Sequence, residues 1–84
     1  MMNKILKFGA DWCTSCTALS KTLAGTKLPV EVVEVDSDVD PQLASKYGVR
    51  GLPTMVLVNK DGEEIRRLVG SKPLKEIEAF VSAA

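Results

Sequence analysis

Hydrophobic and polar positions change their rhythm several times along the chain. Lys4 to Phe8 is a short apolar run that reads as a strand, after which Gly9 and Ala10 lead the backbone out of it. From about Thr14 to Ala24 the spacing turns helical. Cys16, Leu19 and Leu23 fall at i, i+3 and i+7 on one buried stripe, with Ser20 and Lys21 facing outward. Gly25 is the expected stop, because it adopts the left-handed conformation without steric penalty. Val30 to Val35 is rich in β-branched residues and predicts a second strand. Asp40 then reads as a helix N-cap with Pro41 in the first helical position, and Gly48 ends that helix after two turns. Thr54 to Val58 is an apolar strand joined through Asn59-Lys60-Asp61-Gly62 to a more polar strand, Glu63 to Val69. Ser71 is expected to cap a last helix with Pro73 in its first turn. Leu74, Ile77, Val81 and Ala84 form its buried face, with Phe80 beside it.

The order is therefore β-α-β-α-β-β-α, an α/β class with a mixed four-stranded sheet. Strands joined through helices are expected to pair in parallel, and the final hairpin to add an antiparallel edge. No internal repeat, linker or low-complexity tract interrupts the 84 residues, so one domain over residues 1–84 is expected. Eleven basic side chains balance eleven acidic ones, which leaves no general polyanion-binding surface and argues against nucleic acid. Histidine is absent, and with it the commonest general base and metal ligand. No apolar run approaches a membrane span, and the start carries no signal-peptide core. A cytoplasmic location is expected, where paired cysteines are more often catalytic or metal-binding than structural.

Those cysteines, Cys13 and Cys16, form a C-x-x-C at the junction of the first strand and first helix. Unpaired N–H groups and the macrodipole at a helix N-terminus stabilise a thiolate, which is the nucleophilic form. The three-residue separation also lets the sulfurs form a reversible disulfide. Cys13, at the exposed mouth of the turn, suits the attacking role. Cys16, on the stripe of Leu19 and Leu23, should be more buried and resolve the mixed disulfide. Half of a zinc site is a competing reading, but the chain offers no further cysteine or histidine, so no metal is expected. A purely structural disulfide closing so short a loop would contribute little.

The segment Phe8-Gly9-Ala10-Asp11-Trp12-Cys13-Thr14-Ser15-Cys16 resembles the active-site segment of thioredoxins, usually F-W-A-x-W-C-G-P-C. Val33-Glu34-Val35-Asp36-Ser37-Asp38 is similar to the family's strand ending in D-x-D. Lys46-Tyr47-Gly48-Val49-Arg50-Gly51-Leu52-Pro53-Thr54 resembles the stretch that carries its cis-proline, and Gly70 falls at a characteristic position. The resemblance implies a thioredoxin-like fold and a thiol–disulfide oxidoreductase that reduces protein disulfides. Cys13 would be the nucleophile, Cys16 the resolving thiol and Pro53 the cis-proline against the disulfide. Trp12, Leu52, Val69 and Gly70 would complete an apolar substrate-docking surface. No bound cofactor is implied; a thioredoxin reductase or equivalent would supply electrons, and a monomer is expected.

The chain also departs from the family pattern. It is expected to lack the N-terminal β-α unit of ordinary thioredoxins. Gly9 replaces a tryptophan, and Thr14-Ser15 replaces Gly-Pro where it can tune the reduction potential. Lys7 and Glu34 stand where the family usually has a buried aspartate and a lysine, with the charges exchanged. They are candidates for a charge pair tuning the thiols, against the alternative that both are solvated. Glutathione-dependent, glutaredoxin-like chemistry is the nearest rival, though Leu52-Pro53-Thr54 departs from the T-V-P typical of glutaredoxins. A non-catalytic binding module is the rival of another class.

Overall fold

The structure, a computed structural model, describes residues 3–82. Its elements run β1 (Lys4–Gly9), α1 (Thr14–Leu23), β2 (Glu31–Asp36), α2 (Pro41–Lys46), β3 (Thr54–Val58), β4 (Glu64–Val69) and α3 (Leu74–Ser82). The four strands form one sheet in the order β2-β1-β3-β4, which makes β1 and β3 the inner pair. Most boundaries fall within a residue of the sequence expectation.

One pairing rule fails. β1 and β2, joined through α1, pair in parallel, with Lys7 opposite Glu34. β2 and β3, joined through α2, do not pair at all, and β3 runs antiparallel to β1. The six residues of α2 rise only about 9 Å, against roughly 20 Å for a six-residue strand, so the helix alone does not return the chain, and residues 47–53 do not run back to the far end of the sheet either. The chain re-enters at the end where β1 finishes, with Thr54 opposite Phe8. This brings the loop before β3 beside the segment that follows β1.

Each face of the sheet has its own core. Ile5, Met55 and Leu57 pack with Leu19 of α1 and with Ile77, Phe80 and Val81 of α3. Leu6, Phe8, Val35, Val56 and Val58 form the opposite core, flanked by Leu43, Tyr47, Val49 and Leu52. β3 contributes to both and is buried throughout, which accounts for its uninterrupted apolar sequence.

The short helix α2 is held from both ends. Asp40 Oδ1 accepts from Leu43 N–H at 3.2 Å, as its N-cap role requires. Gly48 takes a positive φ of 62°, and Val49 N–H then bonds to Ala44 O at 2.9 Å. Tyr47 donates its hydroxyl to Gly62 O in the β3–β4 turn, and Arg67 of β4 donates to Tyr47 O. Arg67 also pairs with Glu64 at 2.7 Å, and that hydrogen-bonded partner holds the Glu64 carboxyl below its ordinary value.

The start of α3 differs from expectation. Ser71 does not lie at its cap, because the helix begins at Leu74 and Pro73 O accepts from Glu76 and Ile77 N–H. Pro73 disfavours helical backbone at Lys72, and residues 71–73 lie outside the helix. Ile77, Phe80 and Val81 are buried as expected and Leu74 is half-buried, while Ala84 lies outside the described residues.

Ile77 is fully buried where α3 meets the sheet. An Ile77→Ala variant should lose about 2–5 kcal/mol of stability, read as a lower denaturant midpoint. The thiol chemistry of the molecules that remain folded should be unchanged.

Candidate active site

The site lies where β1 stops. The chain leaves Gly9, and Cys13 N–H closes a turn onto Ala10 O at 3.1 Å. Cys13 has extended backbone angles (φ −88°, ψ 107°) and caps α1, its Sγ accepting from Cys16 N–H at 3.1 Å. A sulfur thus stands where a serine or aspartate oxygen usually caps a helix. Cys13 and Cys16 are joined by a disulfide, with their Cα atoms 5.2 Å apart. When that bond opens, the same N–H and the positive end of α1 face the Cys13 sulfur, which lowers the pKa of such a thiol.

The burial of the two sulfurs corrects the sequence reading. Cys13 does not sit at an exposed mouth: it is 7% exposed and Cys16 6%. The cap explains this, because the Cys13 sulfur turns inward to meet the Cys16 N–H. Thr14 and Ser15 are exposed in the first turn of α1.

Next to Cys13, a groove of about 320 Å³ is lined by Trp12, Ser37, Asp38, Val49 and Leu52, among others. Trp12 is 69% exposed, and its indole N–H donates to Asp38 Oδ2 at 2.8 Å. The Leu52–Pro53 peptide bond is cis, and Pro53 O accepts from Gly70 N–H at 2.8 Å. Thr54 Oγ1 donates to Gly51 O at 2.6 Å, fastening the same loop. Gly70 and exposed Val69 therefore flank Pro53 rather than line the groove. Of this groove, sequence reasoning anticipated only Trp12, Cys13 and Leu52, and missed Asp38 and Ser37 in particular. Asp38 entered only as the last residue of the D-x-D segment, with no role assigned. Ser37 carried no signal, yet its Oγ is buried without a hydrogen-bond partner.

Behind Cys16 the exchanged charges meet. Lys7 is 3% exposed and donates from Nζ to Glu34 Oε1 at 3.0 Å and to Ser20 Oγ at 2.9 Å. The carboxylate partner stays in solvent, so the pair is buried at the ammonium end only. Ser20 was expected merely to face outward. Its position four residues after Cys16, on the same side of α1, was the available signal. Among the described residues no group of acidic, cysteine or histidine side chains could hold a metal ion. No helix there is long and apolar enough to cross a membrane.

The thioredoxin family model matches residues 2–83. A thioredoxin of Bacillus subtilis is 37% identical over 81 residues, covering 89% of this chain and 75% of the relative. Thioredoxin-2 of Pyricularia oryzae is 38% identical over 82 residues, covering 94% of this chain but only 47% of that longer protein. Among solved structures, a mutant thioredoxin from Halobacterium salinarum superposes with a TM-score of 0.82 at 34% identity. That match covers 98% of this chain and 74% of the other.

Asp38 anchors the only tryptophan of the chain. Replacing it in Asp38→Ala should free the ring, seen as a lower fluorescence anisotropy of Trp12. An exposed hydrogen bond of this kind should cost less than about 1 kcal/mol of stability.

Proposed function

The chain belongs to the thioredoxin family, and we propose that its Cys13–Cys16 pair reduces disulfides of protein substrates and is recharged by a thioredoxin reductase or equivalent donor. That it is a thiol–disulfide oxidoreductase follows from the family and from the disulfide itself. The observation that carries the division of labour is the contact between Cys13 Sγ and Cys16 N–H at the start of α1. The Cys13 thiolate attacks a substrate disulfide, one substrate sulfur leaves as a thiolate, and a mixed disulfide forms at Cys13. The Cys16 thiolate then attacks Cys13 Sγ, re-forming the internal disulfide and releasing the second substrate sulfur with the electron pair. Two electrons pass to the substrate, and no bound cofactor takes part in the exchange.

Trp12, Leu52, Pro53, Val69 and Gly70 supply the docking surface in this reading. An extended substrate segment lies against the Leu52 backbone. Thr14 and Ser15 tune the potential from the exposed first turn. The protein acts as a monomer in a reducing cytoplasm. Glutathione-dependent chemistry is disfavoured, since Leu68-Val69-Gly70-Ser71-Lys72 stands where a Gly-Gly-x-Asp-type glutathione grip would lie.

The reading extends to Lys7 and Glu34, which act through the resolving thiol. A buried ammonium beside Cys16 favours its thiolate, and the Glu34 carboxylate moderates that field. Asp11 and Asp36 also face this side of Cys16 and oppose the ammonium.

Cys13→Ser should abolish reduction of a protein disulfide with every donor, while Cys16→Ser should accumulate substrate as a mixed disulfide at Cys13. Turnover driven by thioredoxin reductase supports the proposed donor, and turnover with glutathione alone would overturn it. In thiol titrations, Lys7→Met should move the Cys16 pKa up and Glu34→Gln should move it down. A shared direction, or no change in either variant, removes the pair from the mechanism.

A further inference from the structure

The two sulfurs of the disulfide open on different cavities. Cys13 lines the groove beside Trp12 and Leu52, and Cys16 does not. Cys16 lines a second cavity, of about 400 Å³, which Cys13 does not reach. Gly9 lines that cavity and leaves it open beside the Cys16 sulfur. A Cβ there would stand 3.4 Å from Cys16 Sγ, so any longer side chain would grow into the space beside the sulfur. As residues, Cys16 and Cys13 are buried to the same degree, 6% and 7% exposed, against the expectation that Cys16 is the more buried.

The charges of this cavity are sorted by depth. Its one ammonium, Lys7, is almost fully buried, whereas the carboxylates of Asp11 and Glu34 are exposed and Asp36 is half-buried. A molecule with an inner negative end and an outer positive end matches that arrangement. A small aminothiol has this form once its thiol ionises.

We propose that the Gly9 cavity is a second entry to the disulfide, through which a small aminothiol attacks Cys16 and reduces the protein without a reductase. The entering thiolate forms a bond to Cys16 Sγ while the Cys13–Cys16 bond breaks. The electron pair leaves on Cys13 Sγ, where the Cys16 N–H receives it. Of the two sulfurs Cys13 is the better leaving group, because thiol exchange is faster when the departing thiolate is more stable. A second aminothiolate then attacks the outer sulfur of the mixed disulfide. It departs as the small disulfide, leaving both protein cysteines reduced. Two aminothiols lose two electrons and the protein gains them; the protons of the two thiols balance those taken up by the cysteines. This goes beyond donation by a reductase and rests only on the disulfide chemistry of the family.

The experiment compares the oxidised protein's reduction by cysteamine, 2-mercaptoethanol and 3-mercaptopropionate. Each rate is divided by that thiol's rate with a small reference disulfide, which removes its intrinsic reactivity. Cysteamine should lead mercaptopropionate by about tenfold, the scale of charge focusing in a cleft. Asp11→Lys, which changes only an exposed side chain, should reverse the order. Gly9→Val should remove the preference by filling the cavity, and Thr17→Phe should do so from the α1 side without touching the strand. Acid quenching, alkylation and peptide mapping should find cysteamine on Cys16 and the alkyl group on Cys13. Equal normalised rates for the three thiols, or cysteamine on Cys13, overturns the proposal. Protein-disulfide reduction by the dithiol form, measured on the same samples, reports separately on the family activity.

Discussion

Four residues, Ala10 to Cys13, separate the end of an inner strand from the start of a helix, and the chemistry hangs on how that gap is closed. β1 is paired on both edges through Phe8 and packed on both faces, and its last residue, Gly9, still pairs with β2. Helix α1 must begin almost at once, with its free N–H groups near a buried strand end. One of those groups is met by the Cys13 sulfur. The same contact caps the helix, turns Cys13 inward, brings it to Cys16 and stabilises the thiolate formed when the disulfide opens. The structural need and the chemical need are met by one atom.

The rest of the site is delivered by where the chain re-enters the sheet. Neither α2 nor the segment after it runs back across the sheet, so the Gly48–Pro53 loop stays at the end of β1 that carries the cysteines. Tyr47 and Arg67 hold α2 to the hairpin, and Gly70 N–H and Thr54 Oγ1 hold the loop itself. The sequence pattern carried the elements well, because caps such as Asp40-Pro41 and stops such as Gly25 and Gly48 are local signals. Strand direction is not local. The parallel-pairing rule assumes a crossover that spans the strand, and two helical turns do not. Ser71 misled for a related reason: a capping residue was visible, but the restriction that Pro73 places on Lys72 was given too little weight.

Within the site, legibility followed the same division. Cys13 and Cys16 were readable from spacing, whereas Trp12 and the Lys7–Glu34 pair were readable only through the resemblance to thioredoxins. Asp38 was not readable, since it acts through a contact between loops, and Ser37 was not, since its hydroxyl has no partner to signal it. Lys7 is the costly member of the set. An ammonium withdrawn from water is tolerated only when acceptors replace its hydration. Ser20 and the solvated Glu34 carboxylate do so, leaving a positive group in the cavity that Cys16 also lines.

Gly9 gives the last step, because backbone geometry does not require a glycine there. Gly25, Gly48, Gly62 and Gly70 adopt positive φ, where a side chain would strain the chain, and Gly9 does not. Nor does close approach demand it, since a Cβ at 3.4 Å from Cys16 Sγ is in ordinary van der Waals contact. What the glycine provides is space. With a large side chain in that position the inner cysteine would be walled in, and only Cys13 would meet solvent-borne groups. Without one, the buried ammonium, the reactive sulfur and the outer carboxylates share one cavity. The asymmetry of the disulfide then lies in what surrounds each sulfur rather than in how deeply each is buried.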